Sequence, residues 1–391
     1  MVKMGSIMNP KRVLVVLGTE AAWSRGILRG FMAAAHEHDW TLLHYDPRSD
    51  LEWLIEEWSP AAAVVGPELG NEAIAKLAPA PVVSVTVDRS ADGVASVCLD
   101  EETIASLALE HLLATGLRNL STFRYGESIF AVARERAFVR KARAVGAQVA
   151  AGWGSEDAAP LDCGERPDAM VKWLRALPKP CGIFTCTDSW GRAVTRYARE
   201  AGLRVPEDVA LVGADNDELE CQLISPPLSS VVIPWQEIGQ NAAMLVRLAL
   251  GNQPIAERRV VVSPIAVVAR RSSDTLAVDD PLVAGAVAWI RSHVDRRLTV
   301  AMVTRAVGSG RQRLERRFRR ALDRTVQDEI RCAHVEAAKH WLATTNAEMS
   351  EVAKKSGFTN AALLNVAFRR EIGMPPGAYR RRIQKQGVED D

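Results

Sequence analysis

The six cysteines (Cys98, Cys163, Cys181, Cys186, Cys221, Cys332) form no Cys-x-x-C pair, and their scatter offers neither zinc spacing nor a disulfide framework. They are expected as reduced thiols in a cytoplasmic protein. No apolar run approaches the ~18 residues of a membrane span, and Lys11–Arg12 precedes an apolar stretch too short for a signal peptide. Neither export nor a membrane partner is expected. Catalytic signatures are missing as well: there is no G-x-S-x-G, no H-E-x-x-H and no G-x-x-x-x-G-K. Gly308–Ser309–Gly310 lacks the lysine and preceding strand of a phosphate loop. Asp215–Asn216–Asp217–Glu218 lacks EF-hand spacing, and His36 and His38, two apart, point to different helix faces. Catalytic residues, a metal and a cofactor are all unexpected. Net charge is only +1 over 391 residues, yet residues 281–391 carry 21 Lys/Arg against 12 Asp/Glu, while residues 1–280 carry 28 against 36. That one-sidedness suits a nucleic-acid-binding end on an acidic remainder.

The basic end contains one pattern twice. TVAMVTRAVGSGRQRLERRFRR (Thr299 to Arg320) and MSEVAKKSGFTNAALLNVAFRR (Met349 to Arg370) each read as short amphipathic helix, glycine turn and basic helix. Gly308 and Gly357 supply the turn, and the whole is the sequence form of helix-turn-helix. Between the copies the spacing predicts a helix over Val326 to Thr345. Twenty helical residues span about 30 Å, close to the ~34 Å of one DNA turn. One chain could therefore place two helices in successive major grooves of double-stranded DNA.

SEVAKKSGF (Ser350 to Phe358), Phe368-Arg369-Arg370 and the closing GMPPGAYRRR (Gly373 to Arg382) resemble the AraC/XylS family of transcription regulators. On the first reading helix, Arg311, Gln312, Arg313 and Arg316 are the candidates for base edges, since Arg bridges guanine and Gln adenine. Arg317, Arg369 and Arg370 suit phosphates. Two departures from the family pattern stand out. Gly310 replaces the usual Ser/Thr cap, and Ala361, Ala362, Leu363 and Leu364 occupy the second helix, leaving Thr359, Asn360, Asn365 and methyl contacts to read bases. Leu314, Phe318, Ala337, Trp341, Val352, Phe358 and Phe368 are expected in the core.

The front of the chain alternates apolar runs of strand length with helical patterns, beginning with RVLVVLG (Arg12 to Gly18). The alternation restarts after Asp100, and Arg258 to Ala269 reads as a final strand pair. The expected fold is α/β and two-lobed, each lobe a parallel sheet covered on both faces, with strand-end loops facing a cleft. An all-α domain with two helix-turn-helix units follows. VCLDEETIASLALEHLLATGLRNLSTF (Val97 to Phe123), IFTCTDSWGRAV (Ile183 to Val194), VPEDVALVGADNDEL (Val205 to Leu219) and SSVVIPWQEIGQNAAMLV (Ser229 to Val246) are similar to the ligand-binding core of LacI-type regulators, which has the fold of periplasmic sugar-binding proteins. The expected domains are 10–270 for this core, with lobe 1 at 10–98 plus 234–270 and lobe 2 at 99–233. A linker over 271–282 and the DNA-binding part at 283–385 complete the chain.

Sugar capture needs carboxylates that accept from adjacent hydroxyls, an Arg fork, and an aromatic wall for the C–H face. Asp188 and Asp215–Asn216 follow strands, and Arg134 lies at a helix start. By the LacI resemblance Arg134, Asp188 and Asp215 sit where that family binds sugar hydroxyls. Asp100, Trp23 and Trp235 follow strands too. Asp100 equally suits a helix N-cap and Trp23 equally suits the core, whereas the position of Trp235 suits a ligand wall better than the core. The combined resemblance implies a regulator controlled by a small neutral sugar, foremost D-xylose. It further implies a homodimer and, for an activator, contact with RNA polymerase. Another pentose, a repressor, or a carbohydrate-binding receptor or enzyme are the alternatives.

Overall fold

The computed structural model describes residues 11–38, 40–45, 51–154, 167–255, 258–274 and 280–384. Cys163 lies outside them; among the described residues the other cysteines are free thiols. The chain divides into two compact units, Met1–Asp100 with Pro234–Ser263 and Glu101–Ile233 with Pro264–Asp391. The first opens with β1 (Lys11–Val16), α1 (Ala22–Ala35), β2 (Trp40–Tyr45), α2 (Leu51–Trp58), β3 (Ala62–Val65), α3 (Asn71–Lys76), β4 (Val82–Thr86) and β5 (Ala95–Leu99). The second holds α4 (Glu101–Ala114), β6 (Asn119–Phe123), α5 (Ile129–Ala144), β7 (Gln148–Val149), α6 (Pro167–Ala176), β8 (Cys181–Thr185), α7 (Asp188–Glu200), β9 (Val209–Asp215), α8 (Glu218–Gln222) and β10 (Ser229–Val232). The chain then returns to the first unit for α9 (Trp235–Leu250) and β11 (Arg259–Val262) before β12 (Val267–Val268).

Each unit is built on a six-stranded sheet, ordered β11-β5-β4-β3-β1-β2 in the first and β12-β10-β9-β8-β6-β7 in the second. Every pairing is parallel except that of β12 with β10. The strands are rich in apolar and small residues because helices cover both faces: β3, β5, β8 and β10 are buried at every position. One expectation fails. Arg258 to Ala269 is no strand pair, for β11 extends the first sheet beside β5 while β12 extends the second beside β10. Pro264 separates them and has no N–H to continue a ladder.

The basic end is helical: α10 (Pro281–Arg291), α11 (Val300–Ala306), α12 (Arg311–Leu322), α13 (Val326–Thr344), α14 (Met349–Lys355), α15 (Ala361–Ile372) and α16 (Pro376–Gln384). Leu314, Phe318, Val326 and Ile330 close one core with α10 and α11. Val335, Ala338, Leu342, Val352, Leu364, Phe368 and Tyr379 close the other. Trp341 and Phe358 pack at its edge as partly buried groups. The expected core residue Ala337 is only half-buried; its neighbour Ala338 is fully buried. Helix α13 begins on a reciprocal capping box between Thr325 and Asp328. The second core also takes in Val232, Ile265, Ala266 and Val268, so the helical end packs directly on the second sheet.

Candidate ligand-binding and DNA-binding sites

In the second unit, four predicted residues gather at strand ends. Thr187 caps α7, its hydroxyl accepting from Trp190 N–H at 3.4 Å, which sets Asp188 at the first helical position. Asp188 is 1% exposed. Its Oδ2 accepts from Asp217 N–H at 2.9 Å, while its buried Oδ1 has no donor in good geometry although the Ser230 hydroxyl and Cys221 thiol face the carboxyl. Gly213 on β9 leaves it room, since a Cβ there would strike that Oδ1. Strand β9 ends in two strained residues, Asp215 at φ 111° and Asn216 at φ 53°. Asn216 is held by its N–H on Ser230 Oγ (3.0 Å) and by its Oδ1 accepting from Arg270 (2.8 Å). Arg134 is 1% exposed. Its Nε donates to Glu101 Oε2 at 2.6 Å, one terminal nitrogen donates to the Cys186 carbonyl at 2.6 Å, and Asp215 Oδ1 lies 3.6 Å away. Its guanidinium stands 5.0 Å from the Phe130 ring, which stacks on Trp190.

Burial pushes the Asp188 carboxyl up to about 7. Burial also raises Asp215 well above the carboxylate range, against the pull of Arg134 and with the help of the Asp188 charge. Burial alone would weaken the Arg134 charge, but Glu101 and Asp215 raise its pKa instead. The set therefore presents a fixed cation, two carboxyls of adjustable charge, an amide and an aromatic pair.

The first unit carries Trp23, Trp235 and Asp100. Trp235 opens α9 against α1, where a Cβ on Gly26 would come within 2.7 Å of Trp235 Cβ. The two indoles lie 6.0 Å apart at 50°, and the buried Trp235 Nε1 has no partner. Asp100 directly precedes α4, its N–H donating to the Val262 carbonyl at 3.0 Å. Residues missed from the sequence are Thr86, Glu101, Phe130, Trp190 and Arg270. Thr86 ends β4 at φ 70° with its Oγ1 buried and unpartnered. Its strand-end position was visible; its strain was not.

From Asn216 a chain of polar contacts runs toward the basic end. Arg270 donates its N–H to Ser229 Oγ (2.7 Å), Ser229 Oγ meets Ser273 Oγ (2.6 Å), and Ser273 Oγ meets His111 Nε2 (2.7 Å). Burial pushes His111 down to about 4, so it is neutral at physiological pH. Asp274 then pairs with Arg291 of α10 at 2.7 Å.

Both helix-turn-helix glycines turn with positive φ, Gly308 at 62° and Gly357 at 76°. Arg311, Gln312, Arg313, Arg316, Thr359, Arg369 and Arg370 are exposed, and Asn365 is half-buried. Two candidates are engaged within the protein. Arg317 pairs with Asp280 (3.0 Å) at the N-cap of α10, and Asn360 caps α15 by accepting from Leu363 N–H at 2.9 Å. Gly310 caps α12 without any side-chain bond.

A periplasmic binding protein-like domain model matches residues 109–273, and a helix-turn-helix domain model matches residues 303–382. The chain is similar to the xylose operon regulatory protein of Escherichia coli K12, 28% identical over 287 residues, 73% of each chain. It is 31% identical to the Haemophilus influenzae protein of that name over 216 residues, 55% of this chain and 56% of that one. Among solved structures, that of a xylose-binding transcription activator matches 96% of this chain and 98% of its own at a TM-score of 0.61 and 23% identity. That likeness speaks to the fold.

Proposed function

We infer that this AraC-type transcription regulator, whose periplasmic-binding-protein-like domain precedes its helix-turn-helix units, is switched by D-xylose. The observation that carries the sugar reading is the gathering of Arg134, Asp215 and Asn216 at the end of β9, with the buried carboxyl of Asp188 packed behind them on Gly213. Asp215, drawn to one side by Arg134, accepts a sugar hydroxyl, and Phe130 with Trp190 offers an apolar wall to ring C–H groups. Within the first unit, the indoles of Trp23 and Trp235 and the buried Thr86 hydroxyl form a separate polar and aromatic set. Xylose as the particular pentose rests on the two xylose operon regulators to which the chain is similar.

Ligand acts on DNA by favouring one of two arrangements, and only to the extent that it binds them unequally. The contacts from Asn216 through Arg270, Ser229 and Ser273, with His111 bonded to Ser273 and Asp274 paired to Arg291 of the helical end, are the route by which that preference is felt. The working form is a cytoplasmic homodimer that activates its genes together with RNA polymerase. Tryptophan fluorescence of the full chain, titrated with D-xylose, L-arabinose and D-ribose, tests the ligand. D-xylose should give a saturable change that Asp188→Asn weakens. A response to L-arabinose alone would replace the sugar, and silence toward all three would remove the sugar reading.

A further inference from the structure

The two DNA-facing helices are the same object with different outward chemistry. In α12, Leu314 and Phe318 are buried and the residues around them alternate with solvent; in α15, Leu364 and Phe368 occupy the same two places with almost the same exposure at every flanking position. Aligned on those anchors, Arg313 of the first helix stands where Leu363 stands in the second, and Arg316 where Val366 stands. Leu363 is 51% exposed and Val366 66%, an uncommon cost for large apolar side chains on a helix with no intramolecular cover. What surrounds them is cationic. Arg369 and Arg370 follow on the same helix, and a cavity of about 600 Å³ at its N-terminus is lined by three cations, Arg296, Arg297 and Lys354, against one carboxylate, Asp295. No acidic residue lies within Ala361–Arg370; Glu371, just beyond, is held by Arg331 at 2.6 Å. A protein partner for an apolar face does not call for that ring of positive charge. A polyanion with apolar groups on its surface does.

We propose that α15 reads thymine through its 5-methyl group, which Leu363 and Val366 touch in the major groove while Arg296, Arg297 and Lys354 seat the phosphate backbone. The two halves of one protomer's site then follow different rules. Helix α12 discriminates by hydrogen bonds from Arg and Gln, and α15 by an apolar contact that only thymine offers in that groove. The inference rests on the DNA-binding reading and adds the base to it.

Full-length protein selects duplexes from a random pool, and the tightest is remade with deoxyuridine for thymidine at one position at a time, removing only the methyl. In one half-site each effective swap should weaken binding about fourfold, the worth of one buried methylene, and the other half-site should be indifferent. Leu363→Ser with Val366→Ser changes exposed positions only, so the fold survives. That variant should bind the thymidine duplex as weakly as the wild type binds the deoxyuridine one, with no further loss on the swap. Equal binding of both duplexes by the wild type, or a variant that keeps its sensitivity to deoxyuridine, overturns the proposal while leaving DNA binding intact. A variant unchanged on DNA but defective in activating transcription overturns it too, by giving the face to a protein. Failure of the wild type to select any sequence removes the DNA-binding reading itself.

Discussion

The ionisation of Asp188 should make sugar affinity rise with pH across neutrality. The carboxyl is buried, and that burial pushes its pKa up to about 7. Only the ionised form accepts on both oxygens, because Oδ2 is already engaged by Asp217 N–H. Apparent affinity scales with the competent fraction. With a midpoint of about 7, that fraction is about one-tenth at pH 6 and about nine-tenths at pH 8, so affinity should improve roughly tenfold over the interval. Asp188→Asn removes the titration and also a charge-assisted hydrogen bond. It should weaken binding by about 1.5–3 kcal/mol at pH 8 and flatten the profile. Calorimetric titration with D-xylose from pH 6 to 8 measures both. A flat wild-type profile, or one that falls with pH, refutes the reasoning, and so does a slope that persists in Asp188→Asn.

The same shift fixes a stability profile in the absence of sugar. A carboxyl raised from its ordinary 3.8 to about 7 keeps a proton in the folded state that the unfolded chain releases. Its contribution is whole below pH 4 and lost as pH rises through 7, on the order of 4 kcal/mol at most; thermal unfolding of Asp188→Asn should lack that decline. Gly308→Ala and Gly357→Ala should differ. The first meets open space and costs only the left-handed backbone, about 1–2 kcal/mol. The second also drives a Cβ to 2.7 Å from the carbonyls of Val294 and Arg296 and from His334 Nε2, adding about 1–3 kcal/mol, as chemical denaturation will record. Finally, Ser273→Val with His111→Leu should leave sugar affinity near wild type but remove the factor, typically about 5–150-fold, by which an effector alters the second affinity. DNA titrations with and without D-xylose read it, and an unchanged factor would discard the route.

Much of the architecture was legible because buried parallel strands announce themselves as apolar runs of fixed length. RVLVVLG became β1, and the predicted connecting helix over Val326 to Thr345 differs from α13 by its last residue. What tertiary structure adds has physical causes. Ala337 and Ala338 point about 100° apart around the helix, and composition cannot tell which of two neighbouring alanines faces the core. Asn360 suits a base and a helix cap equally, and the structure uses it as the cap. Arg317 has the charge of a phosphate contact, yet its partner Asp280 is the N-cap of another helix, a pairing that only tertiary structure creates. Thr86 and Arg270 were unreadable for the same kind of reason. One depends on a backbone angle that a β-branched residue rarely adopts, the other on bonds to residues up to 54 positions away.

Costly features are not spread evenly through the second unit. Within a few residues of the end of β9 lie two left-handed non-glycine residues, an unsatisfied carboxylate oxygen, two carboxyls whose pKa values burial has raised, and a buried arginine. Each is destabilising in isolation by about 1–3 kcal/mol. The sheet beneath is the opposite: Val209 to Ala214 is buried throughout with regular parallel partners on both sides. A sequence under no other demand would replace Asp188 with an apolar residue and straighten Asp215. That it keeps both, on a scaffold rigid enough to hold them, is how a binding site differs from a core defect. On the proposed reading, a ligand of matching polarity supplies the missing hydrogen bonds and leaves the backbone strain in place. The first unit repeats the principle at Thr86 and Trp235, each with a polar atom buried and unanswered at the end of a strand or the start of a helix.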